Sequence, residues 1–302
     1  MPQVVNGALI RTATTGFRAL FQGGLSQAKP KHVPYVVEVP SVGSGEKHLF
    51  GGGIPGMSEW KGQRTIHSLS LHQISVDNTT YELTLGIPRD AFEDDSYGLF
   101  RPQVEMMGMR AALHPTELWA DLLAKGFTTT KSYDNVAMCA TTHPRLSGGT
   151  QSNKGTAVLS ADAFAAGITA LRKLTDERAA PLGLVDTCRL HLVVPPELEA
   201  TARGILQVEL TANGGTNINY NRADLVIEER LSATSTTAWF LLMTGLPLRP
   251  FILQMRRKPT LVAKDQPADD NVFFEREVIY GVDGRWAVAP GLWQLAYGST
   301  GA

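Results

Sequence analysis

The stretch from Asp90 to Phe127, DAFEDDSYGLFRPQVEMMGMRAALHPTELWADLLAKGF, constrains the fold more than any other part of this chain. It reads as a long helix that opens on an acidic turn (Glu93, Asp94, Asp95), is interrupted at His114-Pro115 and stops at Gly126. Acidic side chains favour the positive end of a helix macrodipole, and a glycine past the last leucines is a usual stop. At Pro115 the expectation is a bend, with the proline opening a second segment that carries Leu118, Trp119, Leu122 and Leu123. No chemistry is evident in the stretch. It is a scaffold on which other elements must pack.

At 302 residues the chain has length for two domains, or one with extensions, at roughly 150 residues per domain. Residues 1 to 37 contain Arg11, Arg18, Lys29 and Lys31 and no acidic residue, so a local charge of +4 sits inside a chain whose net charge is −1. Leu9, Phe17, Leu20 and Phe21 trace a faint helical stripe, but Gly7, Gly16, Gly23 and Gly24 argue against a helix that stands alone. The segment is expected to be an arm that orders against a partner surface. From Tyr35 to Asp90 the pattern changes to period two. Arg64–Val76 and Tyr81–Ile87 read as strands around Asp77-Asn78, and Trp60, between Glu59 and Lys61, reads as a contact residue on this projecting region.

Beyond the central helix, 128–139 reads as a hairpin or loop and LSGGTQSN as a polar turn. Ser160 is placed to cap a helix with Asp162 in its first turn and Phe164, Ile168, Leu171 and Leu174 on one face. Arg189–Val194 reads as a strand that feeds a helix opened by Pro196 and ending near Asn213. Strands follow at Leu225–Leu231, Ala238–Met243, Phe251–Arg256, Val272–Val282 and Leu292–Tyr297. The long alternating strands of the last third are expected to pair with the first half.

A search for reactive groups turns up little. Neither G-x-S-x-G nor a phosphate-binding loop is present, and Gly51-Gly52-Gly53 does not link a buried strand to a helix. His67 and His72, five apart in a strand-like segment, fall on opposite faces. Cys139, His143 and Asp134 could be imagined as a thiol site, but the structural reading is favoured, and Asp94-Asp95 and Asp269-Asp270 read as capping or solvated carboxylates. Cys139 and Cys188 lack the spacing of a metal knuckle or redox pair. The longest apolar run, 238–248, has eleven residues and contains Gly245 and Pro247, too short to span a membrane. No catalytic, cofactor or metal site is expected; the pattern points to assembly.

The strings GMSEWKGQRTIHSLS (56–70), YELTLGIPRDAFEDDSYG (81–98), HPTELWADLLAKGF (114–127), LVVPPELEATARGIL (192–206), NGGTN (213–217), DDNVFFEREVIYGVD (269–283) and GLWQLAYGSTG (291–301) carry a resemblance over nearly all of the chain beyond the arm. In them the chain resembles the major head subunits of Mu-like phages and prophages, within the tailed-phage major capsid proteins. The resemblance implies an α+β capsid fold with an N-terminal arm (1–35), an extended-loop region (36–89), a peripheral domain (90–185, with return strands near 250–285) and an axial domain (186–249, with a C-terminal strand near 286–302). It implies a structural protein that builds hexamers and pentamers into an icosahedral shell around phage double-stranded DNA, assembled in the host cytoplasm and located in the virion. The implied partners are further copies of itself, a separate scaffold and protease, a portal, a possible decoration protein, and DNA held by non-specific contact. Arg11, Arg18, Trp60 and Arg64 are candidate inter-subunit contacts, and Lys29 and Lys31 candidates for proximity to DNA on the inner face, with Arg256-Arg257-Lys258 a weaker one. The covalent Lys–Asn bond that seals the shell of one relative of this fold is not carried over. A cellular encapsulating shell of the same fold, or a soluble α/β enzyme with a dispersed site, are the competing readings.

Overall fold

The computed structural model describes residues 7–51, 62, 71–94, 97–145, 148–175, 181–183, 185–210, 214–266 and 268–302. The N-terminal stretch forms helix α1 (Gly7–Gln27). Its buried side chains, Ile10, Ala13, Phe17 and Phe21, recur at helical spacing and face α3 (Arg101–Ala124), which lies across it. Two of the glycines are what permit the crossing. A Cβ on Gly24 would stand 2.0 Å from the Glu105 carbonyl oxygen, and one on Gly108 would stand 2.2 Å from that of Phe21. The partner surface that orders the basic segment is therefore in the same chain. Gly108→Ala is expected to destabilise by about 1–3 kcal/mol through overpacking, whereas Gly16→Ala, at an exposed position with open space around it, is expected to gain up to about 1 kcal/mol of helix propensity. Urea unfolding of the two variants reads the opposite signs.

Next come strands β1 (Val36–Pro40), β2 (Gly45–Gly51), β3 (Leu71–Asp77) and β4 (Thr79–Pro88), then the short helix α2 (Arg89–Glu93) that leads to α3. β1 and β4 join β11 (Phe251–Lys264) and β12 (Glu277–Pro290) in a four-stranded sheet of order β1-β11-β12-β4. β4 runs antiparallel to β12 from Pro88 opposite Glu277 to Thr79 opposite Trp286, while β1 is parallel to β11 from Val36 opposite Phe251. Burial alternates along β12, and Val278, Tyr280 and Val282 turn inward onto α1 and α3 with Ile87, Phe92, Val104 and Met107. Within that core Phe17 meets Tyr280 edge to face at 5.1 Å, and the Thr14 hydroxyl donates to Asp265 at 2.6 Å.

The second sheet has order β7-β13-β10-β8-β9, built from β7 (Lys154–Gly155), β8 (Arg189–Val194), β9 (Asp224–Ile227), β10 (Trp239–Thr244) and β13 (Ala296–Ser299). Its central strands are apolar on both faces because helix α4 (Ala161–Arg172) and helix α5 (Glu199–Leu206) cover it. Ser160 caps α4, its hydroxyl accepting from the Ala163 amide at 3.1 Å, as the sequence predicts. Two short strands, β5 (His143–Pro144) and β6 (Thr150–Gln151), pair across the polar turn.

The spine helix belongs to both cores. Val104, Met107 and Ala111 are buried in the first, and Trp119, Ala120 and Leu123 in the second, where Trp119 stacks on Tyr35 with ring centroids 4.9 Å apart. His32 ties the segment after α1 to the same helix through Nδ1 and the Thr116 hydroxyl, 2.8 Å apart. Burial pushes the His32 pKa down to about 4 from an ordinary 6.5. The neutral ring fits the native state, so its contribution is complete above pH 6.5 and is lost as the pH falls towards 4. A loss of roughly 3 kcal/mol is expected across that window, and His32→Gln should flatten it in denaturant titrations run at successive pH values.

Several expectations are corrected. The acidic cluster does not start the long helix: Asp94 is the C-cap of α2, and α3 begins at Arg101-Pro102 with no acidic residue in its first turn. α3 also continues through Pro115, whose missing N–H forgoes one bond to the Ala111 carbonyl. No hairpin forms around Asp77-Asn78, because β3 pairs with β2 and β4 with β12. Of the two readings of 128–139 the loop is the one found, with one isolated bridge, Lys131 to Ala137. α5 ends at Leu206, Glu229–Ala233 and Trp293–Leu295 are 3-10 turns, and Asn271–Glu275 is a π-helical turn. α4 packs on the second sheet, and among the described residues of the 36–89 region β2 and β3 pair with each other outside both large sheets.

Candidate functional site

Two strands without a sheet are marginal by themselves, so what matters about the β2–β3 ribbon is how its base is held. A buried polar cluster does this. Gln254, fully buried in β11, donates through Nε2 to the Val76 carbonyl at 3.1 Å and to Asn78 Oδ1 at 2.8 Å, and its Oε1 lies 2.7 Å from His48 Nε2. Asn78, also buried, donates to the Ser41 hydroxyl at 2.8 Å and to the Gly43 carbonyl at 3.1 Å. Glu46 closes the turn into β2: one carboxylate oxygen accepts from the Ser41 hydroxyl and the Val42 and Gly43 amides at 2.8–3.0 Å. These donors hold its pKa below the usual carboxylate range, the two backbone amides contributing most. Arg256 adds a bond to the Ser41 carbonyl at 3.1 Å. Residues from three distant segments, 41–48, 76–78 and 254–256, are thus locked together where the ribbon leaves the sheet. Val42, in the turn at this base, and Leu49, along β2, are apolar side chains exposed at 81% and 61%.

The sequence-predicted contact residues are distributed rather than gathered. Arg11 and Arg18 lie on the exposed side of α1, and Lys29 is exposed just beyond its end. Lys31 is committed within the chain, donating to the Ile227 carbonyl at 2.7 Å and to Glu229 at 2.6 Å, with buried Glu228 at 3.8 Å. Trp60 and Arg64 lie outside the described residues. In the basic triplet Arg256 bonds Ser41, Arg257 is paired with Asp283, and Lys258 is exposed.

The imagined thiol site is a structural core. Cys139 is buried and burial pushes its thiol up to about 12. His143 bonds Asp134 at 2.6 Å through Nδ1 and faces Asn153 Oδ1 at 3.2 Å through Nε2, while its ring stacks on Trp293 at 3.8 Å. Both ring nitrogens and one ring face of the imidazole are thus engaged. Sequence reading missed both polar hubs, Gln254 and Asn153, because an isolated Gln or Asn carries no pattern. Among the described residues no group of His, Cys, Asp or Glu could hold a metal ion, and no helix is long and apolar enough to cross a membrane.

With two cores, a shared spine and an anchored ribbon in place, comparison with known proteins decides the family. The family model of the Mu-like prophage major head subunit gpT matches residues 10–158, 152–231 and 229–302. The chain belongs to this family. As a Mu-like head subunit it is a structural capsid protein of the virion and not an enzyme, with the mixed helix-and-sheet tailed-phage capsid fold. It is 28% identical to the major capsid protein of Escherichia phage Mu over 97% of this chain and 74% of that one. It is 24% identical to the Mu-like prophage FluMu major head subunit of Haemophilus influenzae, over 97% and 73%. Among solved structures, the procapsid of bacteriophage JBD30 matches with a TM-score of 0.62 at 26% identity, covering 98% of this chain and 76% of that one. The virus-like particle from Pyrococcus furiosus matches with a TM-score of 0.52 at 9% identity, over 94% and 97%, a likeness of fold alone.

Proposed function

We propose that this head subunit assembles as hexamers and pentamers into an icosahedral shell around double-stranded DNA, in the host cytoplasm and with a separate scaffold, a protease and a portal, and a possible decoration protein. The observation that carries the reading is the β2–β3 ribbon: its base is fixed by buried hydrogen bonds and the apolar side chains of Val42 and Leu49 are exposed. A rigid base with an exposed apolar surface suits a contact completed by a neighbouring subunit. In the terms of the fold, the four-stranded sheet with α1 and α3 serves as the peripheral domain and the five-stranded sheet with α4 and α5 as the axial domain. Arg11 and Arg18 supply polar contacts to neighbours, and Lys29 and Lys258 supply weak, sequence-independent attraction to phosphate on the inner face.

Sedimentation and negative-stain microscopy of the purified protein test this. Closed shells of far more than hundreds of kilodaltons are expected, and a small soluble oligomer under every condition tried would overturn the reading. Gln254→Leu is a sharper probe, because it strands Asn78 and His48 in a buried site. A loss of about 2–3 kcal/mol in subunit stability is expected, with a steep fall in shell yield.

A further inference from the structure

The turn between β11 and β12 carries two adjacent aromatic side chains, Phe273 and Phe274, exposed at 70% and 75% and packed edge to face at 4.9 Å. Their backbone is held firmly. Asn271, buried beneath them, donates to the Lys264 and Glu277 carbonyls at 3.1 and 2.7 Å, and the π-helical turn ends at Arg276 in the left-handed region, φ 55°. Exposed Asp270 and Glu275 flank the pair, so the knob is aromatic with acidic shoulders.

Elsewhere the same chain has a groove between α3 and the edge strand β4, whose larger end carries Glu82, Glu117 and Asp283 and whose smaller end is apolar beside Arg110. It consists of two hollows of about 360 and 250 Å³ that share Leu83 and Arg110. The smaller one is lined by Leu83, Met106 and Met107, and Arg110 is the one charged residue among its described lining. Met106 is 56% exposed and Leu83 41%, and Arg110 is 3.9 Å from Glu117, whose carboxylate is also paired with Arg230. Methionine sulfur and flexible thioether chains receive aromatic rings well, and the exposed Arg110, whose contact to Glu117 is long, can exchange it for an acidic shoulder.

We propose that the Phe273–Phe274 knob of one subunit seats in the Leu83–Met106–Arg110 groove of a neighbouring copy of this chain, with Glu275 or Asp270 meeting Arg110. Knob and groove are different surfaces of one chain, so each copy gives one and receives one, and such a head-to-tail contact closes into rings when the rotation allows. A knob already rigid in the free subunit loses little entropy on seating. The contact rests on the shell-forming reading above.

The test dopes two variants, Phe274→Cys and Met106→Cys, together into unaltered chain, so that shells still close, followed by mild oxidation. With the partly exposed Cys188 replaced by serine in every chain and Cys139 left buried, a disulfide-linked dimer is expected from the mixed shells and from neither variant doped singly. Mixed shells without that dimer, or a dimer from Phe274→Cys alone, which would place knob against knob, overturn the proposal. Separately, Arg110→Glu is expected to lower shell yield at least tenfold and Glu275→Arg in the same chain to restore it; no loss, or no restoration, counts against the contact. Failure of the unaltered chain to form shells would instead strike the shell-forming reading.

Discussion

Trp119→Ala is expected to cost about 4 kcal/mol of subunit stability, among the largest effects of any single change in this chain. The indole is fully buried at the point where α3 passes from one core into the other. It stacks on Tyr35 at 4.9 Å with the rings 8° from parallel, and meets Phe251 edge to face at 6.3 Å. Truncation removes both aromatic contacts and leaves a cavity that neither sheet can collapse to fill, since Tyr35 precedes β1 and Phe251 opens β11 in the strand pairing opposite it. The indole N–H finds no acceptor among the described residues, so Trp119→Phe loses packing area but no hydrogen bond. A loss of only about 1 kcal/mol is expected for it. Denaturant unfolding of the unassembled subunit measures both, and equal losses for Ala and Phe would show that packing is not what the indole supplies.

Asn153→Ala is expected to cost about 3 kcal/mol, for a different reason. The side chain is 1% exposed and works at both ends. Its Nδ2 donates to the carbonyls of Met138, Trp293 and Ala296 at 2.8, 3.2 and 3.0 Å, and its Oδ1 accepts from the Ala140 amide at 2.9 Å and faces His143 Nε2 at 3.2 Å. Removing it strands backbone groups of the 138–140 segment and of the 3-10 turn before β13 inside the protein. Asn153→Asp is the informative partner. It keeps the shape and the acceptor but replaces the donor with a second acceptor opposite three carbonyls. It is therefore expected to be at least as damaging as alanine near neutral pH and to improve on acidification, as the new carboxylate takes up a proton. Thermal unfolding at several pH values reads the difference.

These two residues show where sequence reading succeeds and stops. The α4 helix, its Ser160 cap, strand β8 and the inward alternation of β12 were legible because periodicity and capping are properties of neighbours in the chain. Trp119 was placed on the correct helix, but that it ties two cores together was not visible. Asn153 was read as part of a polar turn. The Asp77-Asn78 pair carries a turn signal, yet Asn78 is a buried bend whose amide answers Ser41, Gly43 and Gln254, and the strands on either side of it pair elsewhere. Likewise Gly24 looked like a helix weakener until the crossing of α1 and α3, where neither it nor Gly108 leaves room for a Cβ.

By itself the sequence determined the local elements, the absence of a reactive-site motif and, through strings spread along the chain, membership in a capsid family. Tertiary structure alone decided the pairing of β1 with β11 and of β4 with β12, the passage of α3 through Pro115 into a second core, and the buried amides that anchor the ribbon. The physical reason is range. Helix periodicity and caps are settled within a few residues, whereas a strand partner or a hydrogen-bond partner some two hundred residues away is chosen by burial and polar satisfaction over the whole molecule, which no local pattern records.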